Sequence, residues 1–148
     1  MYHAGSIIYF PIFYFKNGAR SKAKYFLVLK EVGSDLLLVS LPSSVDHLPR
    51  FVDQLHGCLE IPEGNICCYI FKAGQVICEN EWAFERDTYL YGEYIDQYEI
   101  NLLNDIYPIE NIDFDIIGTL TKEELSAVCA CFANSASVKQ KYKRLLAH

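Results

Sequence analysis

The chain has 148 residues, 51% of them hydrophobic and 14% aromatic, with a formal net charge of −6. This apolar content excludes a disordered chain, and the length suits one domain with one core. The acidic balance excludes binding of nucleic acid by bulk attraction. The longest apolar runs, such as Leu36 to Leu41, are strand-length, short of the about 18 residues a membrane helix needs, so no membrane span is expected.

Met1-Tyr2-His3-Ala4-Gly5 has no basic region leading into a long apolar stretch. No secretory signal is therefore expected, and a cytoplasmic protein is. Six cysteines occur, at 58, 67, 68, 78, 129 and 131. In a reducing compartment they stay as thiols, and free cysteine packs as a small hydrophobe. Buried thiols, not bridges, are expected.

In chain order, Ser6 to Phe15 is rich in Ile, Tyr and Phe and reads as a strand. Pro11 lies inside it, so the strand must end, bulge or lie at an edge there. Lys16-Asn17-Gly18 is a turn, followed by a polar loop to Ala23. Tyr25 to Lys30 is a buried strand, Gly33-Ser34-Asp35 a tight turn, and Leu36 to Leu41 the next strand, together a hairpin. Pro42-Ser43-Ser44 ends it. Pro49 and Pro62-Glu63-Gly64-Asn65 punctuate the stretch up to residue 65. Ile66 to Phe71 reads as a strand, Ala73-Gly74 as a turn and Gln75 to Cys78 as a short strand. Trp82 to Tyr98, aromatic and acidic, has no clean period and is left as mixed structure.

The C-terminal part carries the clearest local signal. Thr121-Lys122-Glu123-Glu124 is a capping box, in which the Thr121 hydroxyl accepts from the Glu124 N–H and the Glu124 carboxylate reaches back to the Thr121 N–H. Leu125, Val128, Cys129 and Phe132 then fall on one helical face, which predicts a helix from Lys122 to Ala133. A second short helix is expected from Val138 to Leu146. The fold class is thus mainly β with α (α+β). One domain spans 1–148, β-rich over 5–116 and helical over 121–146, as a small, partly open barrel with a helix packed on it.

Most familiar chemistries are absent. His56 with Cys58, Cys67 and Cys68 lacks the Cys-x2-4-Cys spacing of structural zinc sites, and adjacent cysteines in a strand point to opposite faces. No metal is assigned, and no cofactor. Gly-x-Ser-x-Gly is missing, as are the glycine-rich phosphate loops. The carboxylates between Glu79 and Asp115 read as a solvated acidic face, and a strand around Phe114 would put Asp113 and Asp115 on one side of it.

The charge is unevenly spread. Every charged residue from Lys16 to Lys30 is basic: Lys16, Arg20, Lys22, Lys24 and Lys30. A local basic surface holds phosphate even on an acidic molecule, and Lys16, Arg20 and Lys22 are candidate RNA contacts. The end of the chain is basic again at Lys139, Lys141, Lys143 and Arg144. Arg20, Lys22 and Lys24 lead into the second strand, and Ser43 and Ser44 come directly after the third. If these strands form a hairpin, cations and hydroxyls meet at one rim. A cation there stabilises a phosphorane-like transition state or trades a proton, and a hydroxyl orients the phosphate. RNA supplies its own nucleophile, the 2′-OH.

This arrangement resembles the MazF/PemK family of toxin endoribonucleases. Gly5-Ser6-Ile7-Ile8-Tyr9-Phe10-Pro11 is similar to the family's opening Gly-Asp-Ile-Val, hydrophobics and Pro. Lys24-Tyr25-Phe26-Leu27-Val28-Leu29 is similar to Arg-Pro-Ala-Leu-Val-Leu, and Leu41-Pro42-Ser43-Ser44 to a strand ending in Pro-x-Thr/Ser. Ile117-Gly118-Thr119-Leu120-Thr121-Lys122-Glu123-Glu124-Leu125 matches the family's Ile-Gly-x-Leu-Ser/Thr-x-Glu-Glu-Leu. The resemblance covers Gly5 to Ser44 and Ile117 to Phe132, while Val45 to Glu110 does not align. It implies a small SH3-like barrel, a homodimer, an antitoxin partner and metal-independent cleavage of single-stranded RNA to a 2′,3′-cyclic phosphate. Lys24 would take the catalytic Arg position, and Ser43 or Ser44 that of the catalytic Thr or Ser. Lys24 for Arg, Tyr25 for Pro and Ser6 for the acidic residue are departures. The alternative class is a catalytically inactive barrel acting as a protein-interaction module, to which the aromatic, acidic segment with Trp82, Tyr89, Tyr91, Tyr94 and Tyr98 is suited.

Overall fold

Alternating and continuous apolar runs settle into two antiparallel sheets. The computed structural model describes residues 2–41 and 53–147. Its elements are β1 (Ser6–Phe13), β2 (Lys22–Val32), β3 (Asp35–Leu41), β4 (Gly57–Ile61), β5 (Ile66–Phe71), β6 (Thr88–Tyr91), β7 (Ile95–Glu99), α1 (Ile100–Ile106), β8 (Asp115–Thr119), α2 (Lys122–Ala133) and α3 (Gln140–Leu146). One sheet has the order β7-β3-β2-β1-β8, the other β4-β5-β6. The fold is α+β and mostly strand. Among the described residues the sheets do not join into a closed barrel, and no helix is long and apolar enough to cross a membrane.

The five-stranded sheet is buried on both faces. Ile7, Leu27, Leu29, Leu37 and Val39 face the small sheet and α2, meeting Tyr69, Phe71, Val128 and Phe132. Ile8, Phe10, Phe26, Val28, Leu36 and Leu38 face the other way, against Leu103, Tyr107 and Phe114. That double burial explains why β2 and β3 read as unbroken apolar runs; one wetted face would have imposed alternation.

Most predicted elements are present. Val32 pairs with Asp35, so Gly33-Ser34 is a two-residue hairpin loop. Gly33 has φ +61°, as the first central position of a type II′ turn requires. Around Pro11, Phe10 pairs with Lys24 and Phe13 with Lys22, so β1 holds one extra residue and Pro11 sits in a bulge. The Ile66–Phe71 strand and the Lys122–Ala133 helix have the expected bounds. Gly118 lets β8 approach the Cys78–Asn80 turn; a Cβ there would lie 2.8 Å from Asn80 Oδ1.

Other expectations need correction. Gln75 to Cys78 is not a strand; Cys78 makes a single bridge to Leu120, and the adjacent Ile77 N–H donates to the Trp82 carbonyl of the following turn rather than to a ladder. Trp82 to Tyr98 resolves into β6, a 3-10 turn and β7, with Trp82 and Phe84 packed on the core. Strand β4 and helix α1 were not anticipated. Asp113 does not share a strand face with Asp115; it lies in the preceding turn and accepts from the Ile109 N–H at 2.9 Å. The thiol expectation fails at one pair: Cys58 and Cys131 form a disulfide, with Cα atoms 5.5 Å apart. Packing of α2 on the small sheet brings these two positions within bonding distance. Cys67, Cys68 and Cys78 remain buried thiols, and Cys129 a half-buried one.

Candidate functional site

The hairpin places the predicted rim. Tyr25 pairs with Leu41 and Phe26 with Ser40. Lys24 is therefore one residue past the last described pair, at the end of β3 from which the chain continues toward Ser43 and Ser44. Those two serines lie outside the described residues. Strand alternation puts Lys22, Lys24 and Phe26 on one face of β2, with Lys24 opposite Phe10. Lys24 is half-buried, whereas Arg20 and Lys22 are exposed. Burial, and secondarily the Lys22 charge, lower the Lys24 ammonium from the ordinary lysine value.

Beside this rim opens a cavity of about 400 Å³. Phe26, Ser40, Tyr98 and Tyr142 line it, with Lys16 and Lys139 as its cations and Glu93 and Asp96 as its carboxylates. Phe26 is two residues from Lys24, a step of about 7 Å along a strand. Lys16 is anchored to β7: its Nζ lies 3.2 Å from Asp96 Oδ2 and 3.9 Å from the Tyr98 ring centroid, and donates to the Gln97 carbonyl at 2.5 Å. The cation is thus fixed over an aromatic face, a geometry that strengthens with desolvation. Of the predicted basic residues Lys16 lines this cavity; Lys24 and Lys22 lie two and four residues from Phe26 along β2, and Arg20 stands in the loop between Lys16 and Lys22. Sequence reading missed Ser40, Lys139 and Tyr142. Ser40 had a signal, as the lone hydroxyl in the apolar run of β3. Lys139 and Tyr142 reach the cavity only through the packing of the last helix.

A second polar cluster turns out to be saturated. His56 Nδ1 accepts the Lys72 backbone N–H at 3.2 Å, which leaves the proton on Nε2 to donate to Glu124 Oε2 at 2.8 Å. The Tyr69 hydroxyl donates to the same carboxylate oxygen. Burial, then the Glu124 hydrogen bond and charge, raise the Tyr69 phenol. Neither imidazole nitrogen keeps a lone pair for a substrate, so the cluster is a clamp joining β5 to α2. It also corrects the capping box. The Glu124 N–H donates to the Thr121 hydroxyl at 3.2 Å as expected. The Glu124 carboxylate goes to Tyr69 and His56 instead, because the Thr121 N–H is already donated to the Ile77 carbonyl at 3.0 Å. Glu124→Ala would leave a phenol and an imidazole N–H unpaired. We expect a loss of about 1–3 kcal/mol, read as a lower denaturant midpoint at unchanged slope.

The zinc grouping weighed from sequence does not assemble. His56 is committed to Glu124, and Cys67 and Cys68 face different clusters. Comparison of the chain with protein-family models, curated proteins and solved structures finds no significant match.

Proposed function

We propose that this chain is a metal-independent endoribonuclease of the MazF/PemK type, acting on single-stranded RNA at the rim where β2 begins. The observation that carries this reading is the β2–β3 register. Tyr25 opposite Leu41 brings a half-buried cation to the point from which the chain runs on to Ser43 and Ser44. In this reading the RNA 2′-OH loses its proton to solvent water and attacks the adjacent phosphorus, the P–O5′ bond breaks and a 2′,3′-cyclic phosphate forms. The Lys24 ammonium faces the charge that develops on the phosphorane oxygens and gives a proton to the leaving O5′. A serine hydroxyl orients the phosphate. The cavity holds a neighbouring base, since stacking on Tyr98 or Phe26 is tolerant of base identity, while Lys16 and Lys139 meet the backbone. Lys22 and Arg20 extend the phosphate track.

The wider family reading belongs to the same proposal. A five-stranded and a three-stranded sheet with a C-terminal helix packed between them suit a partly open SH3-like barrel. The same reading includes a homodimer and an acidic antitoxin segment laid over the basic rim. Incubation with a long single-stranded RNA in EDTA tests the proposal: cleavage with 2′,3′-cyclic phosphate ends supports it. Intact RNA beside a cooperatively folded protein overturns it.

That outcome would favour the second reading, a non-catalytic interaction module. Leu102, Ile106, Ile109 and Ile112 are all exposed, within a segment whose charges are acidic. Exposed apolar residues in such a run suit a partner surface.

A further inference from the structure

Three sulfur atoms meet under α2. Cys58 on β4 is bonded to Cys131 on α2, and Cys67 Sγ on β5 lies 3.9 Å from Cys131 Sγ. The strand register brings them together. Cys58 pairs with Tyr69 and Glu60 with Cys67, so these four side chains share the face on which α2 rests. Their surroundings differ sharply. Cys67 is 4% exposed and Cys131 7%, whereas Cys58 is open to solvent. A cavity of about 70 Å³ borders Cys67, with Asn65, Glu93 and Ser137 in its wall. The Glu60 carboxylate accepts from the Ser135 hydroxyl and from the Ala136 N–H, which holds the α2 end against β4. Cys131 Sγ therefore stands between a buried thiol and an exposed sulfur. Thiol–disulfide exchange requires attack of a thiolate on one sulfur of a disulfide while the other leaves.

We propose that Cys58, Cys67 and Cys131 form a thiol–disulfide exchange centre, in which Cys67 displaces Cys58 from Cys131 and presents Cys58 as an outward thiol for modification by a low-molecular-weight disulfide. In the first step the Cys67 thiol loses its proton to solvent and its sulfur bonds to Cys131 Sγ. The Cys58–Cys131 bond breaks, and its electron pair leaves on Cys58 Sγ. Nothing is oxidised or reduced overall. In the second step the Cys58 thiolate attacks one sulfur of the small disulfide, giving a mixed disulfide on Cys58 and releasing one equivalent of small thiolate. Burial pushes the Cys67 thiol up to about 11, opposed by the Ser135 hydroxyl and helped by the Glu60 carboxylate; Glu93 is the other charged group in the cavity wall. The exchange therefore quickens with pH, by about tenfold per unit below that value, as the thiolate fraction grows.

The probe is oxidised glutathione, applied to the full chain purified without reductant at pH 8.5. Samples are quenched in acid, residual thiols blocked, and disulfides mapped by mass spectrometry. The expected product carries glutathione on Cys58 together with a Cys67–Cys131 bridge. In Cys67→Ser the Cys58–Cys131 bridge persists, and the Cys58 adduct falls at least tenfold. Cys78→Ser behaves as the wild type. Equal Cys58 adduct in Cys67→Ser, glutathione on Cys67 itself, or an unchanged Cys58–Cys131 bridge in the wild type would each overturn the proposal. Should Cys67→Ser fold poorly, iodoacetamide trapping of the wild type decides. Alkylated Cys58 must accumulate in step with the Cys67–Cys131 bridge, and alkylation of Cys67 sinks the idea.

Discussion

On the proposed ribonuclease reading, Lys24→Ala is expected to lower metal-independent RNA cleavage by about 10²–10⁴-fold, the range for removing a positioned proton-transfer group. Lys24 is the half-buried cation of the rim; Arg20 and Lys22 are exposed, and their charges are screened by solvent and salt. Arg20→Ala and Lys22→Ala therefore weaken RNA binding and reduce its salt dependence, with little change in the cleavage step. Both roles of Lys24 need its charge, so the pH profile reports its protonation and the Lys24→Arg variant separates proton transfer from simple attraction. A general acid must be protonated, and the Lys24 ammonium loses its proton below the ordinary lysine value. The rate should thus fall on the alkaline side earlier than an ordinary lysine would allow. Lys24→Arg should keep RNA binding but lose most of the cleavage, since guanidinium stays charged and does not give up its proton. Ser43→Ala with Ser44→Ala should lose activity comparably to Lys24→Ala, and the triple variant little more, because groups acting on one phosphate are not additive. Cleavage by Lys24→Ala at the wild-type rate would remove the rim from the mechanism.

Phe10→Ala is expected to cost about 3–5 kcal/mol, the range for emptying a buried phenylalanine site. Phe10 is fully buried. Its ring lies 4.6 Å from Tyr107, 5.1 Å from Phe13, 5.7 Å from Phe26 and 6.1 Å from Phe114, centroid to centroid. These neighbours come from β1, β2 and the segment from α1 to β8, so one cavity loosens three parts of the chain. At this length each kcal/mol moves the midpoint by roughly 2–4 °C. Leu102→Ala, at an exposed helix position, is the control and should stay within about 0.5 kcal/mol. A Phe10→Ala protein as stable as the wild type would contradict the two-faced core. Because Phe10 pairs with Lys24, the same variant should also disturb the rim.

Local signals carried much of the chain. The β2–β3 hairpin was legible because apolar runs flank Gly33-Ser34, and helix α2 because Thr121 caps it and its apolar residues recur at helical spacing. That β1 must end, bulge or lie at an edge at Pro11 was readable from a missing donor, and the pairing with β2 decided for the bulge. Other elements had no such marks. Strand β4, Gly57-Cys58-Leu59-Glu60-Ile61, is a sheet edge with one charged and one exposed residue, so no apolar run announces it. Helix α1 has no side-chain cap and buries only Leu103.

At the candidate site the division has the same physical root. Lys24 stands one step past the Tyr25–Leu41 pair because a single two-residue turn sets the hairpin register, so its place at that end of the hairpin was readable from a local pattern. Contacts between distant segments were not. The cavity needs Lys139 and Tyr142 from the last helix beside Ser40 from β3. Glu124 abandoned its capping role because Ile77, far away in sequence, had already taken the Thr121 N–H. The Cys58–Cys131 bridge spans 73 residues. Hydrogen bonds and periodicities within a few residues are encoded where they act. Which groups meet across the core depends on how the two sheets and α2 pack, and on that packing rest the sulfur centre, the clamp and the walls of the cavity.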